Sequence, residues 1–268
     1  MATVVLGYLG IGAVAGVLAG LLGVGGGLVI VPLLAASFAR QGLPAGTLMH
    51  LALGTSLASI VFTSVSSFRA HHRRGAVDWG IVRRITPGIL AGTLGGSWVA
   101  SRLATAPLTW IFTVFLYAVA AQMLLDRKPR PSREVPGAAG TGAVGAVIGV
   151  VSSLVGIGGG TMSVPFMTWC NVPVHRAIGT SAAIGFPIAL AGAAGYLLNG
   201  LGAPELPPHA VGFIHLPALA GVVAASVTTA PLGARLAHRL PVPRLKRAFA
   251  ALLLLMGTRL LAGLLLGR

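Results

Sequence analysis

The stretch Leu22-Gly23-Val24-Gly25-Gly26-Gly27-Leu28-Val29-Ile30-Val31-Pro32 decides the fold, because it returns as Val155-Gly156-Ile157-Gly158-Gly159-Gly160-Thr161-Met162-Ser163-Val164-Pro165. The spacing between the copies is the same at the glycines and at the proline (25 to 158, 32 to 165). Consecutive glycines are poor helix formers, so an apolar helix carrying them is expected to break there. Inside hydrocarbon such irregular backbone survives only if it is buried in protein or lines a wet cavity. Both glycine clusters are therefore expected at the centre of a helical membrane protein.

Working outward, other landmarks recur in the same order. His50-Leu51-Ala52-Leu53-Gly54-Thr55-Ser56 returns as His175-Arg176-Ala177-Ile178-Gly179-Thr180-Ser181, and Ala100-Ser101-Arg102-Leu103 is echoed by Gly233-Ala234-Arg235-Leu236. The chain reads as a duplication, with a first repeat over 1–125, a polar Pro-containing linker over 126–137 and a second repeat over 138–268. Each repeat is one long apolar segment broken at its glycines, followed by three ordinary helices. These segments fall at about 3–38, 45–68, 81–101 and 107–125, then at about 138–170, 174–198, 210–238 and 244–266.

Composition agrees. Of 268 residues 55% are hydrophobic and 9% charged, against roughly 25% charged in soluble domains. Runs such as 108–125 and 249–266 have the length needed to span a bilayer. The net charge of +15 is explained by basic residues gathered in short loops, as positive-inside topology requires, so no nucleic-acid partner is expected. The first segment has no Lys or Arg ahead of it, which argues against a cleaved signal peptide. With one cysteine, Cys170, an intrachain disulfide is excluded.

Charge also decides between two topologies. If each long segment crosses once, the basic residues other than Arg259, which lies inside the last helix, divide ten against eight. If each is a hairpin folded at its glycines, the loops 69–84, 127–133 and 235–247 together with Arg176 hold fifteen, while Arg40, Arg102 and Arg268 make three on the other side. The second division fits the positive-inside rule and makes those Arg-rich loops cytoplasmic. A hairpin plus three crossings is an odd number of traverses, so the expected fold is all-α and polytopic, with two inverted repeats. Each repeat is a Gly-broken re-entrant or discontinuous helix plus three transmembrane helices.

The short helices after the glycines would point their N-termini inward, and two such termini facing each other form an anion site without a fixed cation. The expected substrate contacts are Gly25, Gly26, Gly27, Gly158, Gly159 and Gly160 for shape, with Thr55, Ser56, Thr161, Ser163, Thr180 and Ser181 as hydroxyl donors. Close helix packing is the alternative role for these small residues. Asp78, Asp126, Glu134 and Glu205 are the only acids and all fall in predicted loops or the linker, which disfavours a cation substrate. His50, His175 and Arg259 are candidates for coupling or anion contact, with interfacial placement and snorkelling as the alternatives.

No Gly-x-Ser-x-Gly, His-Glu-x-x-His or P-loop occurs, and no helix pairs a histidine with a carboxylate at metal-ligand spacing. No enzyme activity, metal or cofactor is expected. Trp79, Trp98, Trp110 and Trp169 fall near predicted helix ends, as interfacial anchors do.

The doubled glycine and Val-Pro motif resembles that of the sulfite exporter TauE/SafE family. So do Gly54-Thr55-Ser56 and Gly179-Thr180-Ser181, Gly75-Ala76-Val77-Asp78-Trp79, and Gly212-Phe213-Ile214-His215-Leu216-Pro217. The resemblance covers nearly the whole chain. It implies a multi-pass permease of the bacterial plasma membrane for small sulfur-containing anions such as sulfite or an organosulfonate. An anion channel on the same scaffold and a non-transporting membrane assembly subunit are the competing readings.

Overall fold

The computed structural model describes residues 2–22, 26–125, 132–237 and 242–266. Each long apolar segment is split at its glycines. The first gives α1 (Ala2–Leu22) and α2 (Gly27–Arg40), and the second gives α6 (Ala138–Val155) and α7 (Gly160–Trp169). Between and after them run α3 (Leu48–Arg73), α4 (Trp79–Arg102), α5 (Thr105–Leu125), α8 (Val174–Gly200), α9 (Leu216–Ala237) and α10 (Val242–Leu265). Helices α3, α5, α6, α8, α9 and α10 are long and apolar enough to cross a membrane. At 14 and 10 residues, α2 and α7 are half-helices, since a crossing needs about 20.

One sequence expectation is corrected. The helix expected over 210–238 begins only at Leu216, after a small hairpin of β1 (Ala210–Val211) and β2 (Ile214–His215). Pro207-Pro208 and the positive φ of His209 (65°) and Gly212 (54°) divert the chain from helical geometry there.

Helices in lipid gain nothing from hiding apolar side chains from one another, so close packing of small residues holds them together. On α1, Gly12 lies against Val222 and Ala225, Gly16 against Ser226 and Thr229, and Val17 against Gly233, so α1 and α9 run parallel. On α4, Gly88 lies against Gly142, Gly92 against Ala146 and Gly96 against Val150 and Ser153, so α4 and α6 are parallel too. The first arm of each hairpin thus packs along the penultimate long helix of the other half. Through the centre run α3 and α8, antiparallel: Gly54 meets Tyr196, Leu57 meets Gly192, and Phe68 stacks near Phe186. Leu51, Leu53 and Leu57 are fully buried there. The outer belt of exposed Leu94, Trp98, Val114, Leu124, Val147 and Leu255 is the surface a bilayer would cover.

The feet of each hairpin are tied. Tyr8 Oη donates to Gln41 Oε1 at 3.1 Å, joining the start of α1 to the end of α2. Trp169 Nε1 donates to Ser132 Oγ at 2.9 Å and Asn171 Nδ2 to Arg133 O at 3.1 Å, joining the end of α7 to the chain leading into α6.

The glycine seams give a test. A Cβ on Gly92 would stand 2.7 Å from the Cα of Ala146, whereas one on Gly10 meets nothing within 4 Å. Gly92→Leu should destabilise the protein by about 1–3 kcal/mol or more through overpacking. Gly10→Leu should leave the thermal midpoint in detergent nearly unchanged.

Candidate functional site

The two glycine tips meet inside the protein. A methyl on Gly27 would run into the carbonyl oxygen of Gly156 and stand 3.0 Å from the Cα of Ile157. Gly26 caps the start of α2, and its carbonyl accepts from Val29 N and Ile30 N at 3.0 and 2.9 Å. Gly25 lies outside the described residues. At the second tip α6 ends in Gly156 at φ +70°, a left-handed C-cap, and α7 begins after Gly159 at φ +75°. Side chains rarely adopt these angles, which is why glycine is needed at both. A Cβ on Gly159 would also collide with Ile188.

Around the second tip stands a cluster of hydroxyls. Ser56 Oγ donates to Gly156 O at 2.9 Å, so α3 holds the C-terminus of α6. Ser163 Oγ donates to Ser181 Oγ at 2.8 Å, and both residues are buried. Thr161 Oγ1 and Ser152 Oγ are buried with no hydrogen-bond partner among the described residues. Ser152 is fully buried, and its Oγ is 3.5 Å from where a Cβ on Gly159 would be. Met162 N and Ser163 N bond to Gly159 O, while Gly160 and Thr161 precede the first bonds of the helix and leave their N–H groups at its positive end. No charged side chain stands on either described tip. N–H and O–H groups gathered at a helix N-terminus are chemically able to donate to an anion.

The structure therefore brings together Gly26, Gly27, Ser56, Gly158, Gly159, Gly160, Thr161, Ser163 and Ser181. Ser152 was missed in the sequence. Its counterpart in the first repeat is Ala19, so nothing in the repeat pattern marks it, and only a Ser-Ser pair within an apolar helix hints at it.

Thr55 and Thr180 accept hydrogen bonds at two matching docks. Thr55 Oγ1 accepts from His215 N at 3.0 Å, and Gly54 lies against Phe213 O. In the other half Thr180 Oγ1 accepts from Asp78 N at 2.8 Å, and Gly179 lies against Ala76 O. Each Gly-Thr pair is thus a seat for the extended chain leading into the other half's long helix, α9 or α4. Asp78 then caps α4 by accepting from Gly80 N and Ile81 N at 3.0 and 3.1 Å, and pairs with Arg176 at 3.0 Å.

The remaining candidates part company. His50 is buried, its Nε2 donating to Ala100 O and Leu103 O at 3.1 Å each, which ties the end of α4 to the start of α3. Both neighbours accept, so Nε2 carries the proton. His175 and Arg259 are exposed. Among the described residues no group of three His, Cys, Asp or Glu is placed to hold a metal.

The docks are directly testable. Thr180→Val removes the acceptor for Asp78 N and should cost about 1–3 kcal/mol. Thr180→Ser should restore most of it in thermal unfolding of the detergent-solubilised protein.

Comparison with known proteins gives a consistent picture. The sequence pattern that defines the sulfite exporter TauE/SafE family matches residues 8–260. A "Probable membrane transporter protein" of Haemophilus influenzae is 38% identical over 95% of this chain and 97% of its own. One of Methanocaldococcus jannaschii is 26% identical over 92% and 91%. A third, YunE of Bacillus subtilis, is 29% identical over 71% and 77%. No solved structure matches. With six helices suited to crossing a bilayer and the family pattern running almost end to end, the chain is a multi-pass membrane protein that belongs to the sulfite exporter TauE/SafE family.

Proposed function

We propose that this protein is a secondary transporter of small anions, with sulfur oxyanions such as sulfite or an organosulfonate as the substrate class. Transporter function rests on the family and on the names of its relatives. The observation that carries the anion reading is the second tip. There Ser152 Oγ and Thr161 Oγ1 are buried without partners beside the N-terminus of α7, at the point where the two hairpins touch. Buried hydroxyls without partners cost free energy, and an oxyanion would engage them together with the open N–H groups of Gly160 and Thr161. Gly26, Gly27, Gly158 and Gly159 shape the space, and Ser163 with Ser181 extends the donor set.

In this reading the two halves are inverted repeats in the bacterial plasma membrane, with the Arg-rich loops 69–84, 127–133 and 235–247 on the cytoplasmic side. Two sets of contacts support the inversion. The feet of the α1–α2 hairpin lie with Tyr8 beside His215, at the end of the bundle where α9 begins. The feet of α6–α7 lie where α4 and α8 begin, since α6 runs parallel to α4 and Asp78 pairs with Arg176. Because α3 and α8 are antiparallel, these are opposite ends. Alternating access would rock one hairpin and its partner helices against the other around the shared tips.

Thermal unfolding in detergent against sulfite, thiosulfate, sulfate, sulfoacetate, taurine, acetate and chloride at fixed ionic strength tests the substrate class. A dose-dependent rise confined to sulfur oxyanions is expected, and a flat response to all of them overturns it. Gly159→Leu should abolish both the shift and anion uptake into vesicles while the protein still reaches the membrane. Sidedness tags should place residues 1 and 40 on one face and residue 130 on the other.

A further inference from the structure

The two docks are alike in backbone and unlike in chemistry. Where the first residue before α4 is Asp78, the matching residue before α9 is His215. Both backbone N–H groups bond to the equivalent threonine, Thr180 or Thr55. Both side chains also cap the helix that follows: Asp78 accepts from Gly80 N and Ile81 N, and His215 Nδ1 accepts from Ala218 N at 3.3 Å. A carboxylate is a permanent acceptor suited to the positive end of a helix. An imidazole is an acceptor only while neutral.

His215 is 7% exposed, enclosed by Tyr8 of α1 (ring centroids 5.8 Å apart) and Phe38 of α2 (5.2 Å). The titratable groups around it are few. Tyr8 has its hydroxyl bonded to Gln41. His209 bonds through its carbonyl to Leu216 N and acts on His215 electrostatically. On the α3 side stand Thr55 and, beyond Phe213, His50. The ion pair found among the described residues is Arg176–Asp78, at the other dock, so no carboxylate partners His215.

We propose that His215 is a proton-binding site whose protonation unseats the Phe213–His215 lead-in of α9 from Gly54-Thr55. A proton on Nδ1 would point at the N–H of Ala218 and break the cap. The new charge would lie at the positive end of the α9 dipole, in an apolar cage. Burial, with His209 adding to it, holds the seated imidazole below the ordinary histidine range. The sign follows from that: the seated form is neutral, so seating is fully present above the ordinary histidine pKa and is lost as pH falls below it. Acid on the face that carries the α1–α2 feet would loosen the contact between the halves at that face, while the Asp78 dock, with its permanent acceptor, would hold. The inference rests on the dock geometry and stands apart from the anion reading, which the anion panel tests separately.

Hydrogen exchange of the peptide covering residues 213–220 in the full-length protein in detergent, at about pH 7.5 and about pH 5, reads the seat directly, each corrected by the unfolded chain at that pH. In the wild type, protection should fall by up to about tenfold for each pH unit below about 6.5. His215→Asn, a neutral cap at either pH, should keep its protection constant. His215→Asp should behave likewise, its carboxylate staying ionised, and provides the second variant should the first not fold. Equal wild-type protection at both pH values overturns the proposal. So does the same loss in the Asn or Asp variant, or a loss that His209→Gln abolishes.

Discussion

The structure depends on one constraint: broken backbone in a bilayer has no water to turn to. Each long apolar segment is interrupted at its glycines, and helix ends in an apolar medium leave carbonyls and N–H groups that need partners. The solution is to set the breaks against each other. Gly27 rests on Gly156 and Ile157, and Ser56 of the central helix α3 bonds the open carbonyl of Gly156. At the second tip the buried hydroxyls of Ser152 and Thr161 are left without partners among the described residues.

Bringing the tips together requires that each hairpin lean on the other half. The glycine seams of α1 with α9 and of α4 with α6 do this, since a backbone-to-backbone approach is available only where side chains are absent. The Gly-Thr seats do it again at the ends of the bundle, where each half holds the lead-in of the other's long helix. Neither half has a complete core alone.

The halves have also diverged. Around the tips, Thr161, Ser163 and Ser152 face Leu28, Ile30 and Ala19 as counterparts, so hydroxyl donors belong mainly to the second repeat. At the seats, Asp78 with Arg176 stands against His215 in its aromatic enclosure.

The sequence alone determined the membrane class, the breaks at the two glycine clusters and the order of helices, because composition and hydrophobic run length act locally and need no partner. It also located the glycines, Thr161, Ser163 and Ser181 near a tip. It misjudged the start of α9, where Pro207-Pro208 and a left-handed His209 form a hairpin inside an otherwise apolar run. Only tertiary structure decided what reaches each hydroxyl: Thr55 and Thr180 accept from backbone more than 100 residues away along the chain, and Ser152 is left without a partner among the described residues. A hydroxyl's role depends on whether another group reaches it, and that depends on how the two halves pack, which no local pattern of residues encodes.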